Sequence, residues 1–400
     1  MNKTRIIILM HYLELGGAEM ALIGLLHALD PKRTDVDLFV YDHRGPLMKF
    51  IPDWVNLLPE IGAYTVMERP LSEAVRRRYF GVAFGRLAAK LRHQAFVRKN
   101  KPAEIYSSLI QYVGDFVTPW LPDINPAVEY DMCISFLAPH NIARDKVRAR
   151  RHVAWIHTDY STVDIDVVDE LKVWSAFDSI VSISPQVTNA FTERFPSLSS
   201  RIVEIENILP TDYIISRSEE FSADRELKGC PALLSIGRFC PAKNYDNLPL
   251  IARHLVDTSC PELQWYIIGS GIDEPLIRQR IREAGMEKNV ILLGSKVNPY
   301  PYIKACDIYV QPSRFEGKSI TVREAQMLGK PVAVTAYPTA PSQIRHGVDG
   351  VIVPLDNEGC AAGLAELIRD VEKQKLLAEY CLSHDFGNES EVEKIYKLIR

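Results

Sequence analysis

The chain predicts two doubly wound α/β domains, each a mostly parallel sheet with helices on both faces, and three observations carry that expectation. Its 400 residues exceed what one hydrophobic core usually supports. Short runs of Val, Ile and Leu recur without polar alternation, as expected of strands buried on both faces. Segments of helical periodicity separate those runs, and that alternation builds parallel sheets.

The first run, RIIILM (Arg5 to Met10), reads as a buried strand. A basic start before an apolar run can mimic a signal peptide, but this run is short and His11 and Glu14 follow it with no small-residue cleavage site. The loop HYLELGGAE then leads into a helix from about Met20 to Leu29, and VDLFVYD (Val36 to Asp42) closes a βαβ unit. Strand character returns in YDMCISFL (Tyr130 to Leu137), HVAWIH (His152 to His157), SIVSIS (Ser179 to Ser184) and RIVEIEN (Arg201 to Asn207). The polar stretch from Pro210 to Ser222 suits a linker. A second series follows: PALLSIG (Pro231 to Gly237), LQWYIIG (Leu263 to Gly269), VILLG (Val290 to Gly294), DIYVQPS (Asp307 to Ser313), PVAVTAY (Pro331 to Tyr337) and GVIVP (Gly350 to Pro354). The expected domains are 1–209 and 210–385.

Composition narrows the classes. Hydrophobic residues at 47% and charged residues at 24% give neither a disorder signature nor a membrane-spanning run of about eighteen apolar residues. The seven cysteines form no CxxC pair and no zinc-like spacing with histidine, which fits a reducing cytoplasm. The net charge of −4 is unevenly spread, with nine Lys or Arg and no acidic residue from Ala74 to Ala103. On helical spacing Phe80, Phe84, Leu87, Leu91 and Ala95 form one stripe, and Arg78, Arg86, Lys90 and Arg92 lie off it. Such a helix can lie on an anionic membrane surface, or pack its stripe on the domain and leave its charges solvated. No nucleic-acid-binding motif accompanies the basic stretch, and the acidic overall balance argues against that partner.

In doubly wound sheets ligands bind beyond the carboxyl ends of the strands, so the loops after strands carry the candidate chemistry. From Gln311 to Val332 a strand runs into a loop holding Glu316 and Gly317, and Ser319 opens a helical pattern carrying Glu324. Helix starts collect anions through free N–H groups and the helix dipole. Carboxylates beside phosphate are unfavourable, so the two glutamates suit the sugar hydroxyls of a nucleotide sugar. In SIGRFCPAKN, Arg238 follows a strand and Lys243 lies five positions on, cations able to compensate a departing diphosphate. A surface pair is the plainer alternative. Gly269, Ser270 and Gly271 end another strand and by themselves mark only a tight turn. Lys296 and Val297 occupy the loop after VILLG, where backbone groups can read a nucleobase or simply connect elements.

In the first half, Gly16 and Gly17 permit close approach to an anion. His157 ends a strand and is followed by Thr158 and Asp159, a position from which it can donate to a substrate hydroxyl or phosphate; a structural histidine bonded to backbone is the competing view. Glu316 and Glu324 could also be the carboxylate pair of a glycosidase, but cleavage of a neutral glycoside leaves Arg238 and Lys243 without a purpose.

Glu316 and Glu324, with seven residues between them, resemble the EX7E motif of retaining glycosyltransferases of family four, which have the GT-B fold. GRFCPAKN resembles that family's phosphate-binding Arg and Lys segment, LELGGAE its glycine-rich loop and HTDYS its acceptor-side histidine. The four segments occur in family order over nearly the whole chain. The resemblance implies two facing Rossmann-like domains with the active site in the cleft between them, an N-terminal acceptor domain and a C-terminal donor domain. It also implies that a C-terminal helix at about 386–400 crosses back to the first domain. Glu324 would hold the donor ribose, Glu316 the transferred sugar, and Arg238 and Lys243 the diphosphate. Gly317 sits in the same loop, backbone amides of Lys318, Ser319 and Ile320 would meet sugar or phosphate, and Val297 would meet the base. Gly17, beside Gly16, would approach the diphosphate, and His157 the sugar near its reacting carbon.

The resemblance further implies metal-independent transfer with retention of configuration and no cofactor. The donor would be a nucleotide diphosphate sugar, UDP-linked, and the acceptor a hydroxyl of a glycan or lipid-linked molecule in capsule, lipopolysaccharide or glycolipid assembly. A cytoplasmic enzyme follows, peripheral at the inner face of the membrane if the basic helix binds lipid. A nucleotide-sugar epimerase or hydrolase of GT-B type, and a non-enzymatic nucleotide-sugar binding protein, are the alternatives. Lys318 and Ser319 depart from the family's usual aromatic or small residue followed by Gly or Pro. The added charge can touch phosphate, touch a carboxylated sugar, or point to solvent.

Overall fold

The structure, a computed structural model, describes residues 3–100, 108–158, 160–161, 163–228 and 230–399. Asp159 and residues 101–103 of the basic stretch lie outside the described residues. The chain divides into two compact units, residues 1–208 with 389–400 and residues 209–388.

The first unit is a sheet of seven strands, β1 (Thr4–Met10), β2 (Thr34–Val40), β3 (Asn56–Leu57), β4 (Tyr130–Ser135), β5 (Ala149–Ile156), β6 (Ser179–Ser182) and β7 (Ile202–Glu204). Their order is β3-β2-β1-β4-β5-β6-β7, with parallel pairing throughout. Ile6 to Leu9 of β1 run in register with Met132 to Ser135 of β4. The central strands are sealed on both faces, since Ile6, Ile7 and Ile8 are all fully buried, which is why they read as unbroken apolar runs. On one face Ile7, Phe39, Tyr64, Trp174 and Phe177 share a core. The segment 389–400 belongs to this unit: the Asp30 N–H donates to the Tyr396 hydroxyl at 2.9 Å, Arg33 stacks 3.7 Å over the Tyr396 ring and pairs with Glu393, and Lys394 donates to the Glu204 carbonyl at 3.0 Å.

The second unit holds β8 (Ala232–Ile236), β9 (Gln264–Ile268), β10 (Val290–Gly294), β11 (Ile308–Gln311), β12 (Val332–Thr335) and β13 (Val351–Val353), ordered β10-β9-β8-β11-β12-β13 and again parallel. Both sheets follow the doubly wound scheme in which strand order reverses beside the first strand, so the switch points fall between β1 and β4 and between β8 and β11. Trp265 of β9 shares a core with Leu248, Ile251 and Leu255 of the helix Leu248–Thr258. The second sheet's buried Ser235 is satisfied: Oγ donates to the Val310 carbonyl at 2.6 Å and accepts from Trp265 Nε1 at 2.9 Å.

Two sequence expectations change. The stretch expected as a linker folds in part into a helix, Thr211–Ser218, which buries Ile214 and Arg217 and packs on the helices Tyr300–Ala305 and Ile320–Met327. The basic region forms the helix Phe80–Lys99, but the apolar stripe is not its packed face. Val82, Ala83, Gly85 and Ala89 are buried instead, and a Cβ on Gly85 would lie 2.4 Å from the Phe116 carbonyl, so only glycine admits this close approach of the helix Ser108–Val117. Phe80, Phe84 and Leu91 are 62%, 64% and 59% exposed, and Leu87 is exposed beside them. The stripe therefore faces outward, with Trp120 edge-on to Phe84 at 6.5 Å.

Candidate active site

The geometry at the switch point of the second sheet begins with chain direction. β8 and β11 are neighbours, so the loops after them emerge side by side, one carrying Arg238 and Lys243 and the other Glu316. After β8 the chain passes Gly237 and the exposed Arg238, makes a short 3₁₀ turn over Pro241–Lys243, and turns out of it through Asn244 at φ 61°. Lys243 Nζ thereby donates to Glu316 Oε1 at 2.6 Å. The same oxygen accepts from Ser313 Oγ at 2.5 Å and Gln311 Nε2 at 3.1 Å. Three donors lock one carboxylate oxygen, and Oε2 carries no hydrogen bond among the described residues. Arg238 forms no ion pair among them, so its cation remains available.

The glycines after β9 have a packing reason that the sequence left open. A Cβ on Gly269, which sits at φ 150°, would fall 1.9 Å from the Gly237 carbonyl, and one on Gly271 would fall 2.3 Å from the Phe239 carbonyl. They let the β9 loop pass directly beneath the Arg238 loop.

Glu324 lies in the helix Ile320–Met327, is 5% exposed, and accepts from the Tyr300 hydroxyl at 3.0 Å. Burial pushes its carboxyl up to about 7, and the Tyr300 hydrogen bond acts in the opposite sense without overcoming it. Such a group is half protonated near neutrality, so it can donate to a ribose hydroxyl or accept from one.

The segment between the glutamates differs from expectation in one respect. The Ser319 N–H donates to Gln343 Oε1 at 3.0 Å, and Gln343 Nε2 donates to the Ser319 carbonyl at 2.6 Å. The amide expected to meet a phosphate is thus engaged by a side chain 24 residues on, and Gln343 must withdraw for it to serve. Gly317 has nothing within 4 Å of a Cβ position, Lys318 is exposed, and Ile320 opens the first helical turn half-buried. Thr339 Oγ1 pins the loop by donating to the Glu316 carbonyl at 2.6 Å. Val297 is half-buried in the loop after β10, ahead of Asn298, whose amide donates to the Arg217 carbonyl at 2.7 Å. Lys296 pairs with Glu226 at 3.4 Å and lies over the Tyr302 ring.

In the first unit, Gly16 caps the helix Gly17–Ala28 with extended backbone. The Glu19 carboxylate folds back so closely that a Cβ on Gly16 would meet its Oε2 at 2.0 Å, whereas Gly17 faces open space. His157 follows β5 with its ring parallel to Trp155 and 4.5 Å from Phe136. Its Nε2 is buried with no partner among the described residues, and burial pushes the imidazole down to about 3, so the ring is neutral and offers a hydrogen bond rather than a charge. His140 is a satisfied core histidine by contrast, with Nδ1 2.8 Å from Ser135 Oγ. Among the described residues no group of three His, Cys, Asp or Glu side chains is arranged to hold a metal ion.

Sequence reasoning missed Gln311, Ser313, Thr339 and Gln343, all of which reach the Glu316 to Ser319 loop. Gln311 and Ser313 end an apolar run with side chains fully buried, and a polar pair closing such a strand was the available signal.

Residues 216–383 match the family model of glycosyl transferases group 1. A D-inositol 3-phosphate glycosyltransferase of Thermobispora bispora is 28% identical over 236 residues, 55% of this chain and 54% of that protein. An N-acetylgalactosamine-N,N'-diacetylbacillosaminyl-diphospho-undecaprenol 4-alpha-N-acetylgalactosaminyltransferase of Campylobacter jejuni is 30% identical over 146 residues, 36% of this chain and 39% of that protein. The chain thus spans little more than half the length of these curated relatives at most. Among solved structures, Anabaena HepE in complex with UDP and glucose aligns with a TM-score of 0.62 at 17% identity, covering 98% of each chain. A glycosyltransferase from Rickettsia africae aligns at 0.64 and 14% identity, covering 100% of this chain and 98% of the other. The chain therefore has the two-domain α/β fold of GT-B type, and its residues 216–383 are similar to the glycosyl transferases group 1 model.

Proposed function

We propose that this protein is a retaining glycosyltransferase of family four, EX7E-bearing and metal-independent, that moves a hexose from a UDP-sugar to a hydroxyl of a glycan or lipid-linked acceptor. The observation that carries the reading is the meeting of Lys243 with Glu316 at the β8/β11 switch point, with Arg238 unpaired in the loop that Lys243 ends. The family match over 216–383 supports transfer over isomerisation or hydrolysis. The Anabaena neighbour's UDP and glucose complex supports the donor, and the Campylobacter relative's diphospho-undecaprenol acceptor supports a lipid-linked one.

Each side chain then has a task set by its surroundings. Arg238 and Lys243 neutralise the diphosphate as its bond to the sugar carbon breaks. Glu316, held by three donors on Oε1, presents Oε2 to sugar hydroxyls. Glu324 binds the ribose, and the backbone beside Val297 the base. In the same-face reaction the acceptor oxygen bonds to the sugar carbon, the carbon–oxygen bond to the diphosphate breaks, and the acceptor proton passes to a diphosphate oxygen. In the first unit His157, neutral and unpartnered at Nε2, suits a contact with a sugar hydroxyl.

Lipid-linked acceptors require access to a membrane surface, and the helix Phe80–Lys99 suits that task in a cytoplasmic enzyme. Its outward stripe is exposed, Trp120 stands beside it, and Arg76, Arg78, Lys90, Arg98 and Lys99 form no ion pair among the described residues. Apolar contact flanked by cations is the pattern of interfacial binding to anionic lipid. No helix among the described residues is long and apolar enough to cross a membrane.

Calorimetric titration with UDP tests the donor site. Replacing Lys243 by Ala removes a charge-assisted contact and leaves Glu316 facing the diphosphate, a loss of about 1.5–3 kcal/mol or roughly 10- to 150-fold in affinity. Unchanged affinity in this variant, or no UDP binding by the wild type, refutes the assignment.

A further inference from the structure

A hollow of ≈ 210 Å³ lies beyond the carboxyl ends of β1 and β2 in the first unit, lined by His11, Tyr12, Tyr41, Asp42, Arg44 and Glu68 among others. That volume includes open solvent. Three of the lining side chains carry a buried polar atom without a hydrogen bond among the described residues: His11 Nε2, the Tyr41 hydroxyl and Arg44 Nε. Tyr41 is only 3% exposed, and Arg44 Nε stands 3.7 Å from Asp42 Oδ2, beyond hydrogen-bonding distance. Buried polar atoms are almost always paired, so three converging on one hollow mark a place where a ligand supplies the partners.

The chemistry of the lining selects the ligand. His11 Nδ1 meets Glu68 Oε1 at 2.5 Å, a contact in which Nδ1 donates and Nε2 is left facing the hollow's other groups. Arg44 Nε is a donor, the Tyr41 hydroxyl is either and His11 Nε2 is a ring nitrogen able to take part in a hydrogen bond, so the trio offers both donor and dual groups. A sugar hydroxyl, donor and acceptor at once, complements all three. The rings of Tyr12 and of Tyr41, which stacks on His11 at 5.0 Å, supply apolar surface for the C–H faces of a pyranose. An anion is disfavoured: Asp42 and Glu68 are in the lining, Glu19 acts on the Tyr12 hydroxyl with Glu68, and the neighbouring cations are committed, Arg69 to Asp42 and Glu73 and Arg44 to Glu68.

We propose that this hollow is a subsite for an uncharged sugar ring of the acceptor, gripping one hydroxyl or hydroxymethyl group through His11, Tyr41 and Arg44. The inference rests on reading the chain as a glycosyltransferase whose first unit receives the acceptor. Saturation-transfer NMR on the full chain with methyl glucoside, methyl galactoside, methyl mannoside and N-acetylglucosamine, run beside UDP titration, tests it. At least one of the four sugars is expected to bind, and Tyr41→Phe and His11→Gln to weaken that sugar roughly fivefold or more each. Tyr41→Phe is expected to melt no lower than the wild type, because the hydroxyl it removes makes no internal bond. A lower melting temperature, equal sugar binding in both variants, or displacement of the sugar by inorganic phosphate overturns the subsite. If UDP binds and none of the four sugars does, the subsite falls and the transferase reading stands. If a sugar binds and UDP does not, the transferase reading falls, and with it the assignment of the bound sugar to an acceptor.

Discussion

Replacing Glu324 by Gln should make the ligand-free protein more stable above neutral pH while weakening its hold on a UDP-sugar. Glu324 is buried under Tyr300, with Tyr213 and Arg217 the other charged or titratable groups near that pair, and its carboxyl is raised from 4.5 to about 7. A group whose folded value lies above its unfolded value contributes full stability below the unfolded value and loses it as pH rises through the folded one. Glu324 therefore withdraws stability between pH 4.5 and about 7, and the 2.5-unit gap (7 minus 4.5) at 1.36 kcal/mol per unit amounts to about 3 kcal/mol. Glutamine keeps the carbonyl that accepts from Tyr300 and carries no titrating proton, so it escapes the loss. Urea denaturation at pH 5 and pH 8 should show variant and wild type within about 1 kcal/mol of each other at the lower pH. At the higher pH the variant should lead by about 3 kcal/mol, on the order of 6–12 °C in melting temperature for a unit of this size. Stability curves that run parallel across the range, or a variant less stable at pH 8, would show that the buried carboxylate does not bear this cost. Glu170, raised to about 7 by burial beside Trp174 in the first unit, provides a parallel test, because Gln there should act on the other unit alone.

Other perturbations separate the remaining roles. Glu316→Gln weakens the Lys243 contact and the sugar contact together, and kcat should fall about 10²-fold with donor still bound; undiminished turnover would remove Glu316 from the sugar. Gly269→Ala sets a Cβ 1.9 Å from the Gly237 carbonyl at a φ that L side chains avoid, so the second unit should lose about 2–4 kcal/mol in a denaturant titration. Phe84→Glu combined with Leu91→Glu should abolish flotation with anionic liposomes at low salt while leaving UDP affinity unchanged. Flotation that persists in this variant, or that never occurs in the wild type, would return the helix to ordinary solvent exposure.

Much of the fold was legible because central parallel strands bury both faces. Ile6 to Met10 and Val332 to Val334 stood out as unbroken apolar runs for that reason. β3 escaped because Asn56–Leu57 is too short to show a pattern. The helix Thr211–Ser218 was masked by its polar surface, since it buries Arg217 along with Ile214. Periodicity found the stripe on Phe80–Lys99 but could not say which way it faced. Close helix packing there selects the small residues Ala83, Gly85 and Ala89 over the bulky ones, and hydrophobicity alone ranks them in the opposite order. At the switch point the charged residues announced themselves at strand ends. Gln343 and Thr339 did not, because contacts to a loop more than twenty residues away leave no local trace. The hollow beside His11 was equally silent, although His11, Asp42 and Arg44 each follow a strand at its carboxyl end.

The most direct measurement is nucleotide release from UDP-hexoses with products resolved, run with and without glycan and undecaprenol-diphosphate-linked acceptors. Acceptor-dependent release of UDP, with the hexose joined to the acceptor in the donor's anomeric configuration, is the expected result. An isomerised donor, hydrolysis indifferent to acceptor, or UDP-sugar bound without turnover would contradict it.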